Sequence, residues 1–473
     1  MRVFFLAFFC LNQCIVAQST AKPSAQTLVF TNVNVVDTRD GKILPDMTVV
    51  VRSGRIEAVA KFGLIAETHN GRVINAAGKY LIPGLWDMDV HTVSASAAWN
   101  EGIVYPLYIA NGVTGVRDMG GDPDLPEERR QQVEEGALPG PHIVFAPFLS
   151  GGSSDTQSVA VNDRAEAREA LARLKERGVN LLTIRPDISR DSYFALADEA
   201  AKLKIQFDGP VPDSITATEA SAAGQSSIER LSGILLACSS KEDALRQQRS
   251  QAPANQDFGP QATVATQAMA TYDAEKAWNL FVQLSNNNTW QVPALVWSQT
   301  MASTGKANLT ADPRLKYVPI SVQRQWEIET LRPRTSPEVL QLAKKQSARE
   351  IELVDIMRRA GVQFMTGSNG PAPCVIPGFS LHSELEWLVK SGFSPTQALQ
   401  SATFNPALFL AKLDKFGVVE PGHAADLVLL EANPLEDIRN TREIAAVVLA
   451  GTYYSRQELD RMLARIAEVA RNR

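Results

Sequence analysis

The stretch Leu81–His91, LIPGLWDMDVH, is where the chain changes its rhythm. Upstream, LVFTNVNVVD (28–37), MTVVVRSGRIEAVA (47–60) and RVINAAGKYLIPG (72–84) are rich in β-branched residues, with a turn signal at Ser53-Gly54. They predict a small all-β region. From GLWDMDV onward, short apolar runs alternate with amphipathic helical stretches. The further strand candidates are TGVRDMG (114–120), HIVFAPF (142–148), NLLTIR (180–185), KIQFDG (204–209), SSIERL (226–231), WQVPALVW (290–297) and GVQFMTG (361–367). DRAEAREALARLKERG (163–178) shows a complete helix signature, acidic early, basic late and closed by Gly178. Eight strands alternating with helices imply parallel pairing and a (β/α)8, or TIM, barrel. Near Gly417 the β-rich pattern returns in ADLVLLEA (425–432) and IAAVVLAGTYY (444–454). The fold class expected is therefore α/β, a distorted TIM barrel over 83–411. Beside it stands a small β-sandwich domain built from both chain ends, 27–82 and 412–455, with an amphipathic helix over 456–473.

The length of 473 residues suits one large and one small domain. A net charge of -5 leaves no basic footprint for nucleic acid. Residues 1–17 carry Arg2, an apolar run to Val16 and a small residue at Ala17, which reads as a secretory signal peptide. The chain is accordingly expected to be secreted or periplasmic, with no membrane partner once that segment is removed. Beyond it only Cys238 and Cys374 remain, either bridged to each other or two separate buried thiols. Two insertions, 239–267 and 298–336, follow strand candidates and should lie at the barrel's C-terminal face, as lids or as solvated elaboration.

LIPGLWDMDVH, VPDSI with GQSSIERL, GFSLHSELEWLVKSGFSPTQALQSAT with NPA, and GVVEPGHAADLVLLEANPLEDI together resemble the amidohydrolase superfamily. The resemblance is to its imidazolonepropionase-like and Xaa-Pro-dipeptidase-like branch, and it runs from about Leu28 to Tyr454. It implies hydrolysis of C–N bonds other than ordinary peptide bonds, with one or two divalent metals that activate water. Family members supply His-x-His after the first strand, often a carboxylated Lys on the fourth, a His on each of the fifth and sixth, and an Asp after the eighth.

In this sequence those positions are Asp89 and His91, Thr183, Pro210, Arg230 and Asn369. Only His91 keeps its imidazole, and the chain has just five histidines. Asp208 becomes an oxygen ligand only if the alignment slips by one residue. An Arg where a metal-binding His stood is a natural partner for the new Asp89, since a guanidinium pairs a carboxylate through two hydrogen bonds. The old site reads either as rebuilt into a salt-bridged pocket or as drifted after loss of function. No cofactor and no metal are expected. Asp89 and His91 are the catalytic candidates. Asp89, His91, Arg185, Arg230, Asn369 and His382 are the candidate substrate contacts, with Arg185 alternatively only paired with Asp187 and His382 only a core or capping residue. Glu229 should point away from the barrel axis by strand alternation. Trp297 is a candidate pocket wall, and Trp290 belongs to the core.

The reading that follows is a metal-free, ligand-binding or catalytically silent homologue, with a small molecule as the partner expected in the barrel cleft. Two alternatives stay open. One is a residual hydrolase of amide or cyclic amide C–N bonds, with a metal held by Asp89, His91 and Asp208. The other is a metal-free acid–base enzyme for an anionic substrate, with Arg230 as electrophile. Neither the ligand nor the oligomeric state can be read from these residues.

Overall fold

The computed structural model describes residues 27–64, 71–92, 99–121, 124–152, 157–250, 259–303, 311–327 and 337–472. The stretch read as a signal peptide lies outside them. The chain opens on β1 (Leu28–Val36), β2 (Ile43–Arg52), β3 (Arg55–Lys61), β4 (Arg72–Asn75) and β5 (Tyr80–Pro83). The hairpin between β2 and β3 turns on Ser53 and Gly54, at φ +50° and +75°. Two successive left-handed residues make the turn whose twist matches that of paired strands.

The barrel begins at β6 (Leu85–Val90), which pairs in parallel with β7 (Val113–Met119), and β7 in turn with β8 (His142–Ala146). Pro147 interrupts the third strand, which continues as β9 (Phe148–Ser150), flanked by the short β10 (Ser158–Ala160). Strand β9 pairs with β11 (Leu181–Ile184), and the ladder runs on through β12 (Gln206–Gly209), β13 (Ser227–Glu229) and β14 (Trp290–Val292), all parallel. The segment 363–370 closes the ring. Met365 donates its N–H to Gln291 O on one side, and Met88 donates to Thr366 O on the other. Eight parallel positions follow in chain order, which is the TIM-barrel arrangement.

Two strands are shorter than their apolar runs suggest. WQVPALVW ends as a strand at Val292 because Ala294 takes φ +48° and a helix, Leu295–Ser303, starts at once. Its exposed N–H groups, from Leu295 and Val296, are taken by the buried carboxyl of Glu384 at 2.9 and 2.6 Å. SSIERL ends at Glu229, with Arg230 and Leu231 both left-handed at φ +55° and +51°.

The chain returns to the first sheet through β15 (Leu427–Leu430), β16 (Ile444–Leu449) and β17 (Thr452–Ser455). Strand β15 lies antiparallel to β5, giving an eight-stranded sheet ordered β17-β16-β15-β5-β1-β2-β3 with β4 beside β1. Alternation along β15 serves two cores. Leu427 and Leu429 pack with Phe30 and Val33, whereas Val428 and Leu430 join the barrel core. Burying each such side chain contributes about 1.5–3 kcal/mol. The final helix, Arg456–Arg471, packs on the barrel helix Glu101–Ala110 through a stripe that buries Leu459 and Ile466. Cys238 and Cys374 are buried free thiols, so the bridge left open by the sequence is not formed.

Candidate active site

Four of the positions singled out in the sequence meet at the C-terminal ends of the barrel strands. Asp89 is fully buried on β6, and Asn369 is held beside it by the closing segment, whose Asn369 N–H donates to Asp89 O at 2.7 Å. Arg230 reaches in from the end of β13. Its Nη1 donates to Asn369 Oδ1 at 3.0 Å and to Asp89 Oδ2 at 3.4 Å. Arg230 and Asn369 both occupy the left-handed region, at φ +55° and +56°. Asn tolerates it; for Arg it is an uncommon conformation of a kind that gathers at functional sites.

His91 completes the group. Its Nδ1 lies 2.6 Å from Met119 O and its Nε2 lies 2.9 Å from Asn369 Oδ1. A carbonyl only accepts, so Nδ1 must carry a proton. The Asn369 atom facing Nε2 is also an acceptor, because it receives the Arg230 N–H. Both ring nitrogens thus face acceptors, an arrangement that favours the protonated ring. Burial works against that charge, but Asp89, whose Oδ1 is 3.3 Å from Nε2, outweighs it and holds the His91 pKa above its ordinary value. Burial likewise acts to raise the Asp89 pKa, and Arg230 and His91 together pull it below the usual range. Asp89 Oδ1 has ion-pair contact with His91 but no hydrogen bond, since the ring N–H is directed at Asn369.

Beneath this group lies a second one, which sequence reasoning missed. Arg117, in the middle of β7, is completely buried. Its Nη1 donates to Asp208 Oδ2 at 2.6 Å and to Ser227 Oγ at 3.0 Å, its Nη2 to Glu229 Oε1 at 2.8 Å, and its Nε to Met88 O at 2.6 Å. Thr183 Oγ1 donates to Asp208 Oδ1 at 2.8 Å, and Gly209 N to Glu229 Oε2 at 2.7 Å. Glu229 thus faces the barrel axis, contrary to the expectation from alternation. It shares its face with Ser227, as residues two apart in a strand must, and the parity does not extend to Arg230 because the strand ends between them. Two carboxylates share one guanidinium here. Glu229 accepts three hydrogen bonds, while burial raises the Asp208 pKa well above the usual carboxylate range. Asp87, bonded to Ser368 N and Oγ at 2.8 and 2.6 Å, is pushed up to about 7 by the same burial.

A cavity of about 440 Å³ opens over the ends of the fourth to seventh strands, within the size range of small-molecule sites. Pro210 and Arg230 form its barrel side, and Trp297 and Met301 one wall. The described part of the first insertion supplies Arg249, Val264 and Ala265 to the cavity wall. The long helix Pro337–Arg359 closes the far side with Leu340 and Glu350.

Other candidates are placed elsewhere. His382 is not brought to the site. It is buried in the core, with Nδ1 on Thr441 Oγ1 at 2.9 Å and Nε2 on Asn111 O at 3.0 Å, and burial drives its pKa down to about 3. Arg185 stands at the rim, 5.8 Å over the Phe148 ring and 3.9 Å from Asp187, and is not part of the cavity lining. Thr183 lies below the pocket on Asp208, and Pro210 lies in the cavity wall. Trp290 packs edge-on against Phe409 in the core. Among the described residues, no group of three or more His, Cys, Asp or Glu side chains is arranged to hold a metal ion.

No curated protein matches the sequence. Solved structures match the fold along nearly its whole length. A protein from Bifidobacterium longum, provisionally named as a prolidase, is 22% identical with a TM-score of 0.68, over 94% of this chain and 100% of its own. Bottromycin amidohydrolase is 18% identical with a TM-score of 0.70, over 94% and 90%. A Xaa-Pro dipeptidase with methionine bound in its active site is 19% identical with a TM-score of 0.65, over 91% and 100%. At such identities the likeness concerns the TIM-like barrel and its companion sheet. The sequence profile of the Amidohydrolase family matches residues 80–453, from the last strand of the first sheet through the barrel and back into that sheet. That span takes in every residue of the site, and the chain belongs to the amidohydrolase family.

Proposed function

We propose that this member of the family works without a bound metal and uses its barrel mouth to bind a small molecule, with metal-dependent hydrolysis lost. The observation that carries the reading is the position of Arg230, whose guanidinium lies 3.0 Å from Asn369 and 3.4 Å from Asp89. The donor set does not fit a divalent cation. A metal ligand at this place would have to be a neutral imidazole or a carboxylate. Here Asp89 already faces Arg230 and His91, both ring nitrogens of His91 lie against acceptors, Asn369 is neutral, and Arg230 is a permanent cation that would repel a metal. Asp208 is no substitute, because Arg117 and Thr183 already occupy both of its oxygens.

The same facts speak against His91 as a general base, which needs a free ring nitrogen. A paired cluster next to a largely apolar cavity is suited to holding a ligand in place.

Elemental analysis and calorimetry on the purified chain test this. Zinc, iron, manganese and nickel are each expected well below one per chain, and a strong chelator should leave the melting temperature unchanged, since a bound metal would stabilise the native state by mass action. One tightly held metal ion per chain, lost together with stability on chelation, would overturn the reading.

A further inference from the structure

Arg230 makes both of its hydrogen bonds through Nη1 alone. A guanidinium has five N–H groups, and two are used here. Its Nε and Nη2 have no acceptor among the described residues, and neither atom is buried from solvent. Arg230 also lines the cavity. The edge formed by Nε and Nη2 is the edge that takes a planar carboxylate through two parallel bonds. It is pre-oriented, because Asp89 and Asn369 fix the opposite side of the group.

The remainder of the cavity sets the other half of the ligand. Leu231, Leu235, Val264, Met301 and Leu340 make most of its wall apolar, with Trp297 as its aromatic surface. Arg249, the second cation in the lining, is already paired with Asp213 at 2.9 Å. Glu350, the carboxyl in the lining, accepts from Gln346 Nε2 at 3.1 Å. A second anionic group on a ligand would meet Glu350, and Asp213 offsets the charge of Arg249. Arg230, with its free edge, is thus the better place for a negative charge in a largely apolar cavity.

Resting on the reading of the barrel mouth as a metal-free binding site, we infer that the cavity takes a small organic monocarboxylate. Its head sits on the Nε/Nη2 edge of Arg230, and its uncharged apolar body lies along Leu235, Val264, Met301 and Trp297. Arg230 thereby acquires a function distinct from ion pairing. It presents to a carboxylate the charge that a metal ion would otherwise supply.

Isothermal titration of the full chain with octanoate, octanol, octylamine and octanedioate tests the inference. Metal content is measured on the same samples, so that failure of the metal-free reading is seen separately. Octanoate is expected to bind at least about tenfold more tightly than the other three. Arg230→Met should abolish that preference, and Arg230→Lys should keep part of it by retaining the charge without the fork. Ala265→Phe, which fills the cavity from the helix Gly259–Ala270 of the first insertion, should weaken octanoate while leaving Arg230 untouched; it covers the case in which Arg230→Met does not fold. Equal binding of octanol or octylamine, undiminished octanoate binding in either Arg230→Met or Ala265→Phe, or no binding of any carboxylate from butanoate to dodecanoate would each overturn the inference.

Discussion

The Nε2 of His91 lies 2.9 Å from Oδ1 of Asn369, the same oxygen that accepts the Arg230 N–H at 3.0 Å. One neutral amide oxygen thus lies between the Arg230 guanidinium and the His91 ring, and both stand beside Asp89. A carboxylate at position 369 would bind the same two donors more strongly and would add a second anion next to Asp89.

Asn369→Asp should therefore fold and keep its stability, because Arg230 and His91 already provide the opposing charge. It should not gain a metal, since the guanidinium still fills the space. Elemental analysis after dialysis against zinc checks this; stoichiometric zinc in the variant would show that position 369 alone had excluded the ion.

Asp89 and Arg230 should behave as a coupled pair. Removal of Asp89 leaves Arg230 without its carboxylate, and removal of Arg230 leaves Asp89 with His91 alone, each at a cost of about 1–3 kcal/mol. The figure lies below the range for wholly buried pairs because Arg230 is 25% exposed and its bond to Asp89 is 3.4 Å. The double variant Asp89→Asn with Arg230→Met should be less destabilised than the two singles added together, by about 0.5–2 kcal/mol. Urea titrations of the four proteins give this number, and simple additivity would remove the argument that the pair was built as a unit.

Arg117 should be the most costly single site in the barrel. Arg117→Met strands Asp208 and Glu229 in the interior and should cost about 3–5 kcal/mol. The two carboxylates should differ. Burial raises the Asp208 pKa and so weakens its hold on a negative charge, and Asp208→Asn should cost only about 1 kcal/mol. Glu229→Gln disturbs a carboxyl that accepts from Arg117, Ser227 and Gly209, and should cost clearly more. Equal costs for the two amide variants would remove this distinction between the two carboxyls.

A pH dependence should come from the contact between sheet and barrel. His142, at the start of β8, lies 2.9 Å from Asp426, next to β15. Burial lowers the His142 pKa, but Asp426 outweighs it and the net shift is upward. A raised pKa means that the folded state holds the proton more tightly. The contribution is thus complete below the unfolded value of about 6.5 and is lost as pH rises through the folded value. His142→Gln should cost up to about 1 kcal/mol at about pH 5.5, with the difference from the parent shrinking as pH rises past neutrality. A constant difference across that range would show that the ring acts by packing on Phe416 and not by its charge.

Much of this was legible in the chain. Period-two runs and capped helices mark the strands and helices because local sterics and burial act over a few residues. The substitution of family positions by Asp89, Arg230 and Asn369 also announced that they would meet, since a TIM barrel brings all its strand ends to one face. The sequence by itself therefore determined the barrel, the two-ended sheet and the neighbourhood of Asp89, His91, Arg230 and Asn369. Tertiary structure alone decided the rest. TGVRDMG read as a strand and nothing more, because the partners of Arg117 stand 91 and 112 residues further along. Glu229 was expected to face outward, and a strand that ends in two left-handed residues breaks the parity on which that expectation rested. His382 had the residue type of a ligand contact, but Thr441 and Asn111 take up both its nitrogens from distant segments. The upward shift of the His91 pKa could not be read from its residue type either. It depends on which atoms of Met119 and Asn369 face the ring, and only the closed barrel sets that orientation.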